Sequence, residues 1–268
     1  MKKQMQQVEG MTVYPLQNPP AAYLNEEEKA MPETRVNEQI FERFPSFRRG
    51  IAVARNMNNH GSSEELEALL QEALAGAAGA PIDLTADPRT AVWDKTYRAL
   101  GCNPKKFPPA HLALLKRVQK PGVSIPFINK AVAVMNDNSI RGVLPVGGDD
   151  LRRAGGTLEL RPADGSERFT PLSDPDKIEH PDPGEIIYVV AETREVMCRR
   201  WNWRNGYQTR ITEDTKAMVM NIDGLGEDSE KRAVSARDRV ARMLALYCSA
   251  EIETALLTPA APSFSFRF

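Results

Sequence analysis

The spacing of apolar residues changes character near Gly142, and this change limits the fold more than any other feature of the sequence. Before it the pattern is helical: Ser62 or Ser63 precedes two acidic residues and a stripe of leucines, as at a capped helix start. Asp87-Pro88 indicates another helix start, because proline is tolerated in the first helical turn. After Gly142, short apolar segments separated by turn residues indicate strands. Helices mostly in the first half and strands mostly in the second predict an α+β fold.

The strand-rich half contains one clear hairpin pattern. Residues 157–161 alternate in polarity, and residues 167–171 can pair with them across the turn Asp164-Gly165. Periodicity predicts three further strands and a final helix, at residues 185–191, 195–201, 217–222 and 229–250.

The two ends of the chain differ from its centre. The first 35 residues carry four prolines and the run Glu26-Glu27-Glu28 with little periodicity, which predicts an arm that is poorly ordered or wraps the surface. Residues 251–268 carry apolar and aromatic anchors without periodicity, which predicts a tail. We therefore expect one main domain over residues 36–250, between an arm over 1–35 and a tail over 251–268.

Composition excludes several classes of protein. A chain of 268 residues with a net charge of −1 can bury a sizeable core but has no overall attraction to nucleic acid or membranes. No apolar run approaches the roughly 20 residues that span a bilayer, and the first residues do not resemble a signal peptide. The three cysteines and three histidines form no ligand motif, so we expect reduced thiols, a cytoplasmic location, no metal and no cofactor. The pattern does not specify an oligomeric state.

Two basic segments stand out because neither contains an acid. Residues 199–210 combine four arginines with three aromatic side chains, and residues 95–120 carry seven lysines or arginines. Guanidinium groups bind phosphate or carboxylate with paired hydrogen bonds, and aromatic faces stack on bases, a combination suited to RNA. The alternative is an exposed hairpin whose arginines pair with acids from elsewhere and whose tryptophans fill the core.

Five motifs occur in order along the chain: VWDKTYRALG at 92–101, SIPFINK at 124–130, LPVGGDD at 144–150, MCRRWNWR at 197–204 and ITEDTK at 211–216. With these motifs the sequence resembles the B3/B4 domain of the phenylalanyl-tRNA synthetase β subunit, in the form found as a free-standing protein. The likeness extends over roughly residues 36–247.

The resemblance implies a β-sandwich-like core with flanking helices. It also implies an editing site that hydrolyses the ester of wrongly charged tRNA, which is needed because a binding pocket rejects near-isosteres poorly. Two positions depart from the family. The editing-site histidine falls on Gly147, and the glutamate that recognises the tyrosine hydroxyl falls on Asn221. No adenylate-binding motif accompanies the domain, so we do not expect ligase activity.

Within this frame we expect a single site. Thr212 and Asp149 are the candidate catalytic residues, because an aminoacyl ester is already reactive and needs a positioned water more than a strong base. Gly147 and Gly148 could form a backbone amide nest for the carbonyl oxygen, or simply a tight turn. The other candidate substrate-binding residues are Arg199, Arg200, Trp201, Asn202, Arg204 and Asn221. Of the arginine run, we expect Arg199 or Arg200 and Trp201 or Trp203 to line one cavity with this glycine pair.

Three functions remain open at this point. The first is hydrolysis of an aminoacyl-tRNA or related aminoacyl ester by a domain acting in trans. The second is binding of tRNA or of a small amino acid without chemistry, within translation. The third is a structural role, in which the arginines form a satisfied ion-pair network and Phe264, Phe266 and Phe268 anchor a protein interface. The first two predict tRNA or aminoacyl-tRNA as the partner, and none of the three involves a membrane.

Overall fold

The structure is a computed structural model that describes residues 31–122 and 124–268. In that part of the chain the helices are α1 (Glu38–Arg43), α2 (Glu64–Gly79), α3 (Pro88–Ala99), α4 (Ala110–Val118), α5 (Lys130–Gly142), α6 (Leu151–Ala154) and α7 (Ser229–Cys248). The strands are β1 (Glu33–Val36), β2 (Arg48–Arg55), β3 (Val146–Asp150), β4 (Leu158–Pro162), β5 (Ile186–Val190), β6 (Val196–Arg199), β7 (Arg204–Asn205), β8 (Met218–Gly224), β9 (Glu251–Leu257) and β10 (Ser263–Ser265).

The strands form two sheets that share a core. The larger sheet has the strand order β10-β1-β4-β5-β6-β7, and the smaller has the order β3-β8-β2-β9. Strands β1 and β4 are parallel, and the other neighbours run antiparallel. Helices pack on the outer face of the smaller sheet, which confirms the predicted α+β class and the sandwich-like core with flanking helices.

Strand β2 lies between two hydrophobic cores. Ala52 faces the core formed with α2, α5 and α7, whereas Ile51 and Val53 face the core shared with the larger sheet. Because successive strand residues point to opposite faces, a strand between two cores needs apolar side chains on both. The six central residues of β2 are all buried, and the one charged residue among them, Arg49, belongs to the site described below.

The predicted helix starts are confirmed. Ser63 accepts a hydrogen bond from the Leu66 amide at the start of α2, and Asp87 accepts one from the Arg89 amide at the start of α3. Asn129 caps α5 in the same way. Each cap satisfies an amide that the first helical turn would leave unpaired.

The predicted hairpin of residues 157–161 with residues 167–171 is wrong. Strand β4 pairs with β1 and β5 instead. The buried Glu167 carboxylate accepts from the amides of Asp164 and Gly165, so a side chain, not a second strand, closes this turn. Strand β5 is buried at all five positions, and burying it beside β4 outweighs a pairing with the polar segment that begins at Glu167.

Residues 251–268 are not a separate tail. Strand β9 pairs with β2 over seven residues, and β10 pairs with β1. Half-exposed side chains along β9 hide its alternation from sequence reasoning. The N-terminal boundary also shifts, because β1 begins at Glu33, inside the predicted arm; residues 1–30 of that arm lie outside the described residues. None of the helices described is long and apolar enough to cross a membrane.

Candidate functional site

A cavity of about 450 Å³ lies between the two sheets at the free edge of β3, flanked by α4 and α5. We call it the sheet cavity. Its volume is in the range of small-molecule sites. Seven of the ten candidate residues line it: Gly147, Gly148, Asp149, Trp201, Asn202, Arg204 and Asn221.

A buried network around Asp223 forms the floor of the sheet cavity. Asp223, in β8, accepts hydrogen bonds from Arg49 Nε at 3.2 Å, from Trp201 Nε1 at 3.0 Å and from the Tyr188 hydroxyl. The Arg49 guanidinium lies 4.4 Å from the centre of the Tyr188 ring. Burial raises the pKa of Tyr188 well above its ordinary value, so the hydroxyl remains a donor. Because Asp223 is compensated by three donors, this network fixes the shape of the floor.

Asp149 is the second buried carboxyl of the sheet cavity, and its surroundings are different. Within the described residues its carboxylate accepts one hydrogen bond, from Thr209 Oγ1 at 2.6 Å. Burial raises the pKa of Asp149 from 3.8 to about 6, although the bond from Thr209 opposes the rise. A carboxyl with this pKa gains and loses a proton near neutral pH, as a general base must.

Two other polar side chains of the wall have atoms without a partner among the described residues. Asn202 accepts from the Tyr97 hydroxyl at 2.9 Å, which leaves its Nδ2 donor unused. His111, in α4, has neither ring nitrogen hydrogen-bonded, and burial lowers its pKa to about 3, so the imidazole is neutral. An unpaired buried donor costs about 1–3 kcal/mol, so these atoms indicate where a polar ligand would bind.

The Gly147-Gly148 pair forms neither the amide nest nor the tight turn that the sequence suggested. Both residues lie in β3 and pair with β8. The amides of Val146 and Asp150 bond away from β8, so alternation directs the Gly148 amide to the same free edge. A β-carbon on Gly147 would meet nothing within 4 Å, whereas one on Gly148 would lie 2.9 to 3.1 Å from three atoms. Gly147 thus leaves room in the cavity, and Gly148 permits close packing.

Neither Arg199 nor Arg200 lines the sheet cavity, which corrects the prediction that one of them would. Arg199 binds Glu185 through two hydrogen bonds of 3.0 and 2.8 Å and binds Glu179 at 3.0 Å. Arg200 pairs with Asp182 at 3.0 Å. The expected strand alternation fails because β6 ends at Arg199 and the next two residues adopt left-handed backbone angles. The ion-pair alternative is therefore correct for these two arginines, although the Nε of Arg200 is buried without a hydrogen-bond partner among the described residues.

The outer rim of the sheet cavity, which we call the mouth, keeps a cationic and aromatic surface. Arg204 lies there with a hydrogen bond to Ser173 and its nearest carboxylate 4.0 Å away. Trp203 packs edge-on against Phe107 at 4.8 Å, and Arg117 of α4 lies on the same rim. Since Phe107 belongs to the basic segment 95–120, the two acid-free segments meet at the mouth.

Thr212 and Asn221 have different positions. Thr212 is outside the sheet cavity, where its amide and carbonyl oxygen bond to Thr215 and Asn59. Its place beside Asp149 is taken by Thr209. Asn221 lies in β8 opposite Gly147 and lines the cavity, as expected.

Sequence reasoning missed Tyr188, Asp223, His111 and Thr209. Asp223 had a usable signal, because it is the one carboxylate in the run 217–225, where the only other polar side chain is Asn221, and a buried acid requires donors. Tyr188 and His111 had no such signal, since each fits an ordinary core pattern.

The structure also bears on Cys198 and on metals. Cys198 lines the sheet cavity, but burial raises the pKa of its thiol, so the sulfur is protonated at neutral pH and is a poor nucleophile. The described residues contain no group of three or more histidines, cysteines or acids arranged to hold a metal ion.

Comparison with known proteins supports the sequence resemblance. A family model of the B3/4 domain matches residues 92–249, which is more than half of the chain. Among solved structures, the chain is similar to an N-terminal fragment of the phenylalanyl-tRNA synthetase β-subunit from Pyrococcus horikoshii, with 11% identity and a TM-score of 0.43. That likeness covers 82% of this chain and 49% of the fragment, so the chain spans about half the fragment's length. The comparison with curated proteins finds no match. The chain belongs to the B3/4 domain family.

Proposed function

We propose that the sheet cavity binds the aminoacyl group at the 3′ end of a charged tRNA, or a related aminoacyl ester, and hydrolyses the ester. The observation that carries the proposal is Asp149, a buried carboxyl with a pKa near 6 in a cavity whose mouth is cationic and aromatic. The editing activity implied by the sequence resemblance points the same way. The proposal requires that the protein meet charged tRNA in the cytoplasm.

Binding would be divided between the mouth and the interior. Arg204 and Arg117 would hold terminal phosphates, and Trp203 would stack on a base of the single-stranded end. The aminoacyl group would then enter the interior. There Asn202 Nδ2 and the edge-facing Gly148 amide are two of the donors available to its carbonyl oxygen, and the neutral His111 ring offers a third.

Hydrolysis would use Asp149 as the general base. The ionised carboxylate takes a proton from water as the water oxygen attacks the ester carbonyl, and the carbonyl oxygen gathers charge beside these donors. The bond to the ribose oxygen then breaks, and the proton on Asp149 passes to that oxygen. Thr209 holds the carboxylate in place through its 2.6 Å bond, whereas Thr212, which the sequence had suggested for positioning the water, has no part in this step. The products are a free amino acid and an uncharged tRNA.

One observation favours the alternative, a binding module without chemistry. Gly147 stands where the resemblance puts the editing-site histidine, and the cavity wall there is open. In that case the sheet cavity would hold the aminoacyl end or a free amino acid, and Asp149 would bind the α-amino group.

The test uses a panel of mischarged tRNAs with the full chain, and it measures released amino acid. We expect at least one ester to be hydrolysed faster than in buffer, and Asp149→Asn to lower that rate at least ~100-fold, the usual contribution of a general base. The matched control is Asp164→Asn, which changes an exposed carboxylate that is not part of the cavity lining. If no ester is hydrolysed above the buffer rate, the hydrolase is rejected; tRNA binding that persists would leave the binding module.

A further inference from the structure

A second cavity, of about 400 Å³, lies among the helices where α5 ends and α7 begins. We call it the helical cavity. It shares no lining residue with the sheet cavity. Four arginines and one lysine from three helices line it: Arg89, Arg141, Lys231, Arg232 and Arg239. Because these cations are scattered along the sequence, no motif predicts the cavity.

Three of the five cations have carboxylate partners. Arg89 pairs with Asp87 at 2.6 Å, and Arg141 and Arg239 share the buried Asp137, each at 2.9 Å. Lys231 and Arg232 have no carboxylate within ion-pair distance among the described residues. Asp228 also lines the cavity, at the cap position of α7, and Asp87 and Asp228 both partly offset the charge of Arg232 from beyond that distance, Asp87 more strongly.

Arg232 carries the main argument. Its Nη2 donates to the Val143 carbonyl oxygen at 2.8 Å, and its Nε is buried without a partner in the described part of the chain. Burial and the neighbouring Arg89 lower the pKa of Arg232. A part-buried guanidinium without a carboxylate is costly, and Arg232 lies in the first turn of α7, where the helix dipole is also positive. An anion bound in the cavity would remove both costs.

Two further observations point to a built site. Val143 has left-handed backbone angles, φ 49° and ψ 48°, which cost a β-branched residue about 1–3 kcal/mol. That conformation presents the Val143 carbonyl oxygen to Arg232. Asn138, which is 1% exposed, lines the cavity with its Oδ1 unpaired among the described residues. It offers an acceptor to a ligand that carries a donor.

We propose that the helical cavity binds a phosphate monoester of nucleotide size. Its phosphate would lie against Arg232, Lys231 and Arg89, because guanidinium forks match the geometry of phosphate oxygens. A hydroxyl or amino group of the same ligand would donate to Asn138 Oδ1. The cavity volume suits a molecule of this size. This site is independent of the reaction proposed for the sheet cavity.

Calorimetric titration of the full chain with AMP, inorganic phosphate and adenosine tests the proposal. We expect saturable binding of AMP with one site per chain, weaker binding of phosphate and none of adenosine. Arg232→Gln should weaken AMP binding at least tenfold. The control is Arg242→Gln, which removes the same charge from an exposed position of α7 outside the cavity and should change affinity less than twofold. Absence of AMP binding, or equal affinity in Arg232→Gln, overturns the proposal.

Two further measurements test whether a loss of AMP binding in Arg232→Gln comes merely from unfolding of that variant. Lys231 is exposed, so we expect Lys231→Gln to change stability little and still to weaken AMP binding severalfold. AMP should raise the melting temperature of the unmodified protein but not that of Arg232→Gln. If a short single-stranded RNA binds through Arg232 while AMP neither binds nor competes, the cations serve a polynucleotide backbone and the small-molecule proposal fails.

Discussion

The floor and the wall of the sheet cavity each contain a buried carboxylate, but only one of them is compensated. Asp223 in the floor receives hydrogen bonds from Arg49, Tyr188 and Trp201. Asp149 in the wall receives one, from Thr209. Buried carboxyl groups with few hydrogen-bond donors and a shifted pKa are typical of functional sites. The number of donors therefore distinguishes Asp223, which stabilises the structure, from Asp149, which is placed to react.

The arginines show the same division. Arg199 and Arg200 form ion pairs with Glu185, Glu179 and Asp182. Arg232 has no carboxylate partner among the residues described. Adjacent arginines in the sequence were thus a poor guide to an anion site. The unpaired cations of the helical cavity, Lys231 and Arg232, are neighbours in α7, and only the tertiary structure shows that no carboxylate among the described residues lies within ion-pair distance of them.

The largest expected effect on stability comes from removing the compensated carboxylate of Asp223. Asp223→Ala leaves the buried Arg49 guanidinium without its partner, so we expect a loss of about 3–5 kcal/mol in the free energy of unfolding. Urea denaturation measures it. Asp238→Ala, which breaks the part-exposed pair with Arg237, is the control and should change stability by less than about 1 kcal/mol. Equal effects would mean that Asp223 is not the anchor of the floor.

Removing the charge of Asp149 should change the free energy of unfolding in the opposite direction, towards greater stability. The pKa of Asp149 rises from 3.8 when unfolded to about 6 when folded, so its favourable contribution is complete below pH 3.8 and is lost as pH rises through 6. At pH 7.5 the ionised group therefore costs up to about 3 kcal/mol, and Asp149→Asn should stabilise the protein by as much as that. Thermal unfolding at pH 7.5 and 4.5 checks it, with a smaller gain expected at 4.5.

Asp164→Asn is the matched control for the predicted stabilisation by Asp149→Asn. The hydrogen bond from Arg194 lowers the pKa of this exposed carboxyl, so its contribution is present at neutral pH and is lost on acidification. The substitution should therefore destabilise slightly at pH 7.5. Stabilisation by both substitutions would indicate a general effect of charge and not the burial of Asp149.

Substitutions at the two glycines of β3 distinguish the closely packed face of this strand, at Gly148, from the face open to the cavity, at Gly147. Gly148→Ala puts a methyl group 2.9 Å from Met218 and 3.0 Å from the Val219 carbonyl oxygen, so we expect a loss of about 1–3 kcal/mol. Gly147→Ala meets nothing within 4 Å and should leave stability nearly unchanged. Gly147→Val should also fold but should exclude the aminoacyl group, which binding of a non-hydrolysable aminoacyl-adenosine would report. Equal stability losses at both glycines would contradict the register of β3.

Sequence reasoning found most of the elements, and its failures have physical causes. Caps such as Ser63 and Asp87 act within one helical turn, so the helix starts could be read locally. Strand pairing depends on which of several segments, some far away in the sequence, gains most from burial beside a given strand. For that reason β4 pairs with β5 and not with the expected segment 167–171. Strand β9 was missed because its burial depends on β2, some two hundred residues earlier in the chain.

The candidate site was predicted in part. The motif at 144–150 and the run at 201–204 do meet, as an extended strand and a turn that share the sheet cavity. Whether an arginine is free or paired was not predictable, because its partner can lie on any loop. Glu185, which binds Arg199 and also accepts from the Arg200 amide, lies fourteen residues before Arg199 in the chain and had no motif.

The smallest expected effect concerns tRNA binding, in which Arg204, with its nearest carboxylate 4.0 Å away, can be compared with the closely paired Arg200. Arg204→Gln should flatten the dependence of log Kd on log salt by about 0.7 to 0.9, the value for one phosphate contact. Arg200→Gln should leave that slope unchanged, because Asp182 and Glu185 already neutralise the guanidinium. Filter binding across a salt series measures both variants. If Arg200→Gln flattens the slope as much as Arg204→Gln does, the ion pair with Asp182 opens when RNA binds, and compensation within the free protein is then no guide to which arginines touch the ligand.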